Sequence, residues 1–185
     1  MRIRTNFFVS LDGKVSDADG RPVQLLVPGF AGAGSYGLPE FLSTTEAVLM
    51  GRTTFLPALG APSWPWTQPV FVLTSSALPP ETPDVVTAAP SAAALLRTMQ
   101  EAGIDGDVHL VGGPSTMQAF HAIGALTEVR VHVVPLILGS GTPLAADGAE
   151  PITSLTPLSV RTFDDGVVEL AYAVADRGGV GRQRP

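Results

Sequence analysis

Apolar and polar residues alternate through Arg2-Ile3-Arg4-Thr5-Asn6-Phe7-Phe8-Val9, the period of a strand. Short apolar runs bounded by turn formers predict further strands near residues 46–50, 69–74, 84–88, 107–111, 127–135, 158–163 and 166–174. Helical periodicity runs between them near 38–44, 52–58, 91–103 and 114–123. Strands alternating with helices describe an α/β fold with a mostly parallel sheet. The firmest helix starts at Ser91, a side chain able to cap free N–H groups, and stops at Gly103. Asp164-Asp165-Gly166 between two strand patterns reads as a hairpin turn, so the chain closes on an antiparallel pair. Residues 16–37 are dense in Gly and Asp and predict a long flexible surface loop, the kind used as a lid, a substrate arm or an oligomer contact. The segment from Pro57 to Pro69, with Trp64 and Trp66 inside it, is a second irregular stretch. Residues 1–176 are expected to form one domain and 177–185 a frayed tail.

Composition narrows the chemistry. The 185 residues include no Cys, which removes disulfides, a thiolate zinc site and a cysteine nucleophile. A net charge of −6 with no basic stripe argues against a nucleic-acid partner. No run of about 18 apolar residues predicts a membrane span, and the first residues lack the pattern of an export signal, so a cytoplasmic location is expected. His109, His121 and His132 show no metal-ligand spacing and are expected in ordinary structural roles. Ser10, Ser35 and Ser115 lack a His/Asp partner at a spacing that would make a hydrolase triad.

Candidate chemistry sits at strand ends. Val108-His109-Leu110-Val111 runs into Gly112-Gly113 and then Pro114-Ser115-Thr116, a strand-to-helix junction where bare backbone and unpaired first-turn N–H groups can meet an anion. A second junction repeats the design: Val48-Leu49-Met50 ends at Gly51, followed by Arg52-Thr53-Thr54, which adds a guanidinium fork and hydroxyls. A third strand ends in Thr74-Ser75-Ser76. Ligands of open α/β sheets sit beyond the carboxyl ends of the strands, so the three clusters would line one crevice, and a dinucleotide suits it better than a single phosphate.

With these junctions the chain resembles the dihydrofolate reductase superfamily, and within it the riboflavin-biosynthesis (RibD-type) reductase domains and their stand-alone relatives. The resemblance rests on Ser10-Leu11-Asp12-Gly13-Lys14, Met50-Gly51-Arg52-Thr53-Thr54-Phe55, Leu110-Val111-Gly112-Gly113 and the block from Leu126 through Pro135-Leu136-Ile137-Leu138-Gly139-Ser140-Gly141-Thr142-Pro143. It implies a three-layer fold, NADPH across the strand ends and a homodimer. By position, Gly51, Arg52 and Thr53 would meet the pyrophosphate or 2′-phosphate region, Thr74 and Ser75 the adenosine-ribose phosphate, and Gly112, Gly113, Pro114, Ser115 and Thr116 the other phosphate. The resemblance also implies a cis Gly112–Gly113 peptide.

The proton source is less defined. Glu40 is the one acid between Gly37 and Glu46, and Pro39 before it also suits a helix first turn, where the dipole favours an acid regardless of function. Asp12 matches the RibD-type pattern beside nicotinamide and substrate, but is also an ordinary turn aspartate. Lys14 is a candidate for a substrate phosphate, and Phe55 for either core or substrate wall. The leading expectation is an NADPH-dependent reductase of a small heterocycle, resembling 5-amino-6-(5-phosphoribosylamino)uracil reductase. The deaminase signature His-x-Glu with Pro-Cys-x-x-Cys is absent from the sequence. Dihydrofolate reductase itself, and a non-catalytic nucleotide-binding homodimer on the same scaffold, are the alternatives.

Overall fold

The computed structural model describes residues 1–27, 30, 36–145 and 153–175. In chain order the elements are β1 (Arg2–Ser10), β2 (Lys14–Ser16), a 3-10 turn (Val23–Leu26), α1 (Leu38–Ser43), β3 (Thr45–Gly51), α2 (Arg52–Leu59), β4 (Val70–Leu73), β5 (Val86–Ala89), α3 (Ala92–Glu101), β6 (Asp107–Gly112), α4 (Pro114–Ala122), β7 (Leu126–Val134), β8 (Thr142–Pro143), β9 (Leu155–Thr162) and β10 (Val168–Val174). Eight strands form one sheet in the order β5-β4-β3-β6-β1-β7-β10-β9. The pairs from β5 to β7 are parallel, and β10 joins β7 and β9 antiparallel. This is the dihydrofolate reductase-like arrangement the sequence implies.

Period-two alternation sorts the side chains onto two packed faces. Ala47 and Leu49 of β3, Phe71 of β4 and Ile3, Phe7 and Val9 of β1 pack under α3 and α4 through Leu95, Met99 and Phe120. Val48 and Met50, with Val70 and Val72, face the other way onto Phe55 of α2 and the Trp64–Trp66 loop. Both faces of the central strands are covered, as a parallel sheet requires. In α3, Ser91 Oγ accepts the Ala94 N–H at 3.2 Å and Gly103 adopts φ +76°, so both predicted ends are realised. The two tryptophans stack edge to face at 5.0 Å, and the Pro-Trp segment packs on its own core.

The segment predicted as a flexible loop over 16–37 needs correction. Ser16 is buried in β2, Val23 and Val27 are core residues, and they cluster with Phe8, Val134 and Val167. The Gly and Asp positions signalled turns, but Val23 and Val27 supply an apolar anchor that holds the segment down. Residues 28–29 and 31–35 of this stretch, and the expected tail 177–185, lie outside the described residues.

One face of the sheet carries a buried line of charge. Arg4 meets Asp107 at 2.6 Å and Glu128 at 3.1 Å; Arg130 meets Glu128 at 3.1 Å and Glu169 at 3.5 Å; His132 Nε2 lies 3.1 Å from Glu169. Burial pushes the Asp107 carboxyl up, but hydrogen bonds and charge from Arg2 and Arg4 together outweigh it and hold it below the ordinary range. The nearby His109 is driven down to about 3 by burial and then by the Arg4 charge, so it is neutral.

Candidate functional site

Strands β4, β3, β6 and β1 are neighbours and parallel, so their carboxyl ends open onto one edge of the sheet. A cleft of about 300 Å³ lies there. Asn6, Phe7 and Phe8 of β1 form its floor, Val111, Gly112, Gly113 and Pro114 one wall, and Thr53 and Thr54 of α2 a second. Val15, Ser16, Pro22, Gln24 and Thr142 close the remaining side. Its volume suits a small planar ring.

Glycine at the two junctions answers to local space. A Cβ on Gly51 would run into Thr116 Oγ1, and one on Gly112 would stand 3.1 Å from Thr54 Oγ1. The Gly112–Gly113 peptide is cis, as the resemblance implies. The bare backbone of both residues faces the cleft, and α4 begins directly behind it with Gly113 as N-cap. The Thr116 and Met117 N–H groups both return to Gly113 O, at 3.0 and 3.1 Å. Among the predicted phosphate contacts, Thr53, Gly112, Gly113 and Pro114 line the cleft. Exposed Ser115 sits on the first turn of α4 at its rim. Gly51 is buried beneath it.

Several expectations need correction. Thr116 is 2% exposed and spends its side chain on the Gly51 contact, so it is a packing residue of the β3–α4 junction. Phe55 is fully buried against Val48, Met50 and Trp64, not a substrate wall, because helical spacing from Arg52 turns it into the sheet. Arg52 Nη1 donates to Ala77 O at 2.9 Å and ties the start of α2 to the loop after β4. Thr74 Oγ1 accepts the Ser76 N–H at 3.1 Å in a local turn, and Thr74 and Ser75 lie one strand beyond the cleft lining.

The acids also part from expectation. Asp12 accepts hydrogen bonds from Ser10 Oγ at 2.6 Å, Leu138 N at 3.1 Å and Gly139 N at 2.9 Å. These donors favour the charged form and pull its carboxyl down to about 2, Ser10 contributing most. In the structure Asp12 anchors the chain after β7. The same joint includes Leu11 N to Leu136 O at 2.8 Å and Leu144 N to Gly13 O at 2.9 Å. A side chain at Gly141, φ +120°, would collide with Ser16 O and Asp17. Two of the four sequence blocks that carried the resemblance are thus the halves of one clamp beside the cleft. Glu40 is exposed on the first turn of α1 and lines no part of the cleft, which leaves the helix-dipole explanation. Lys14 is half-buried in β2 opposite Pro143, off the lining.

Sequence reasoning missed Asn6, Ser16, Gln24 and Thr142 as cleft residues. Asn6 had a visible signal: it is a polar residue on the same strand face as Arg4 and Phe8. The other three are brought in by the β2–β8 pairing and the 3-10 turn, which leave no periodicity to read.

A family model for the RibD C-terminal domain matches residues 2–169. The chain belongs to the RibD C-terminal domain family. Its relatives include the uncharacterised Bacillus subtilis (strain 168) protein YwjB, 31% identical over 139 residues that cover 74% of this chain and 78% of that one. A second B. subtilis (strain 168) protein, the uncharacterised YyaP, is 38% identical over 66 residues, 36% of this chain and 35% of its own length. Among solved structures, a candidate riboflavin biosynthesis protein of Shewanella sp. PV-4 superposes with a TM-score of 0.81 at 23% identity, covering 95% of this chain and 99% of that one. The Thermotoga maritima diaminohydroxyphosphoribosylaminopyrimidine deaminase/5-amino-6-(5-phosphoribosylamino)uracil reductase gives 0.70 at 19% identity. It matches 94% of this chain, which spans 56% of that protein's length. At these identities the structures establish the RibD C-terminal domain fold. Among the described residues no helix is long and apolar enough to cross a membrane, and no cluster of His, Asp or Glu has the geometry of a metal site.

Proposed function

We propose that this RibD C-terminal domain is an NADPH-dependent reductase of a small heterocycle, allied in reaction type to 5-amino-6-(5-phosphoribosylamino)uracil reductase. The observation that carries the reading is the cleft itself: bare Gly112–Gly113 backbone faces Thr53 and Thr54 at the carboxyl edge of a parallel sheet. The residues fit a nicotinamide carrier, since the side-chain-free Gly112–Gly113 backbone and the Thr53 and Thr54 hydroxyls line the same cleft. When bound, that carrier supplies hydride, and the protein's task is alignment and exclusion of water. Gly112 and Gly113 present the backbone against which the ring lies, while Thr53 and Thr54 hydroxyls orient its polar groups. Ser115 on the first turn of α4 stands at the phosphate side, and Phe7 and Phe8 dry the floor. Among the described residues no carboxyl lines the cleft.

Titration with NADPH tests the binding half. Saturation at 100 times the dissociation constant stabilises by about 2.7 kcal/mol, roughly 5–10 °C in Tm for a chain of this size. No shift with either NADPH or NADP⁺ overturns the proposal. Oxidation of NADPH with 5-amino-6-(5-phosphoribosylamino)uracil or dihydrofolate then tests turnover. That no carboxyl lines the cleft among the described residues favours one second reading, a nucleotide-binding scaffold without catalysis, and binding without turnover would select it.

A homodimer in the cytoplasm is part of the same proposal. All eight residues of edge strand β9 are exposed, with Leu158 at 55% and Val160 at 65%, an apolar edge suited to a second copy of this chain.

A further inference from the structure

His132 of β7 is fully buried directly behind the cleft. Its ring stacks on Phe8, a floor residue, with centroids 4.6 Å apart and planes 15° from parallel. Its Nε2 lies 3.0 Å from Tyr36 O and 3.1 Å from Glu169 Oε2. A carbonyl and a carboxylate both accept, so Nε2 carries a proton and presents it to the pair. Nδ1 is buried and meets no partner among the described residues. The ring is therefore in its neutral form. Burial, the largest influence, keeps its pKa below the ordinary value, and Arg130 adds to this against the upward pull of the Tyr36 carbonyl and Glu169.

The carbonyl that His132 holds belongs to a strained residue. Tyr36 has φ +57°, the one non-glycine residue at positive φ among those described, and such a conformation persists only where its surroundings impose it. Its ring meets Phe8 edge-on at 5.5 Å and Phe163 at 5.0 Å, and its hydroxyl donates to Asp165. Gly37 then caps α1, whose Phe41 packs on the Arg4 and Arg130 guanidiniums and edge-on to His109. One imidazole thus ties the cleft floor to the start of α1. The charged and titratable groups around it are Glu169 from β10, Arg130 from β7 and, through Tyr36, Asp165 of the β9–β10 turn. Arg161 of β9 lies beside Gly37, and His109 of β6 against Phe41. Phe8 from β1 and the residues packed with it, Val23 and Val27, carry no charge.

We propose that His132 is a positioning residue of the cleft: its neutral ring backs Phe8 while its one N–H holds Tyr36, and acid loosens both by adding a second proton. A protonated Nδ1 would be a charged donor without an acceptor, set between the rings of Phe8 and Phe163. Opening the Tyr36 segment lets the imidazole reach water and take that proton. Because the folded ring binds a proton more weakly than a free one, the latch is at full strength above about pH 6.5 and weakens as pH falls below it. A ligand seated on Phe8 favours the latched arrangement. The ligand half rests on the reductase reading, while the latch itself is measured without ligand.

The test follows amide hydrogen exchange over residues 36–44 of the full chain, corrected for intrinsic rate, as pH is lowered through about 6.5. Wild type is compared with His132→Gln, His132→Phe and His109→Leu. Gln keeps an N–H for Tyr36 O but does not titrate, and Phe keeps a ring on Phe8 but cannot donate. Wild-type opening should rise toward about tenfold per pH unit below about 6.5, and His109→Leu should keep that rise. His132→Gln should stay flat, and His132→Phe should open about tenfold more at every pH. Calorimetric titration with NADP⁺ should rank the variants in the opposite order. His132→Gln, with no ring behind Phe8, should bind about three- to tenfold more weakly than wild type at neutral pH, while His132→Phe stays within about threefold. No rise in wild-type exchange, a rise that persists in His132→Gln, or one that vanishes in His109→Leu overturns the proposal; the first of these needs no variant to fold. So does the same ranking in both assays, which would mark His132 as a packing residue and no more. Absence of NADP⁺ binding in the wild type with the exchange pattern intact supports the latch and sinks the reductase reading.

Discussion

Replacing Gly51 with Ala isolates the joint between β3 and α4. Gly51 sits at φ −86° and ψ 163°, a conformation open to any residue, so the backbone does not require glycine. On that ground alone Ala would stabilise by about 0.4–1 kcal/mol through the unfolded chain. Space reverses the sign. The new Cβ would overlap Thr116 Oγ1, while its other neighbours, Thr116 Cβ at 3.7 Å and Gly112 O at 3.9 Å, are in ordinary contact. Thr116 is buried on the first turn of α4, so relieving the overlap means turning its hydroxyl out of its packed rotamer or shifting the helix start that backs the cleft. Overpacking of this kind costs about 1–3 kcal/mol, which lowers Tm by roughly 3–10 °C in a chain of this length. Calorimetric melting of Gly51→Ala, Thr116→Ala and the double variant measures the effect as a cycle. Removing the hydroxyl should make Gly51→Ala neutral or stabilising in the Thr116→Ala background, a change of sign between the two backgrounds. If Gly51→Ala is harmless alone, or equally harmful in both backgrounds, the steric account is wrong.

Four other outcomes are expected. His109 is neutral in the fold with its pKa lowered to about 3, so unfolding releases a group that takes up protons more readily; stability present above about pH 6.5 is lost as pH falls toward 3, and His109→Leu should flatten that limb of a Tm-against-pH curve. Asp12→Asn should lower stability above about pH 4, where the folded carboxylate accepts its hydrogen bonds, and the gap to wild type should close as pH falls from about 4 toward 2; loss of the acid limb of the NADPH-oxidation profile in the same variant would mark Asp12 as the proton donor. Phe55→Ala should cost about 3–5 kcal/mol in urea denaturation, whereas a substrate-wall role would show in KM with little change in stability. Val160→Asp places a charge on the exposed β9 edge and should yield a monomer by light scattering if that edge joins two copies; an unchanged mass would place the contact elsewhere.

How far the sequence reached depended on whether a residue's role was local. Ser91 with Gly103, and Asp164-Asp165-Gly166, announce their structures through backbone chemistry a few residues long, and both were legible. The parallel core strands were legible because burial on both faces leaves continuous apolar runs such as Val70-Phe71-Val72-Leu73. β2 and β8 are three and two residues long, too short for any period, and their pairing joins Lys14 to Pro143 across most of the chain. The acids show the same limit at the site. Asp12 stood out in the sequence, but its partners Leu138 and Gly139 donate through backbone, which no side-chain pattern reveals.

The charged ladder across β6, β1, β7 and β10 bears on how the strands find one another. Aliphatic strands slide past each other at little penalty, because one Val replaces another. Here a slip of β1 by a single residue would turn Arg2 and Arg4 to the opposite face, leaving Asp107 buried without a cation and Glu128 with Arg130 alone. An uncompensated buried charge costs about 3–5 kcal/mol, a large part of a domain's whole margin. Misaligned pairings would therefore fail before they compacted, and the alphabet of charges along four strands works as a key that admits one alignment.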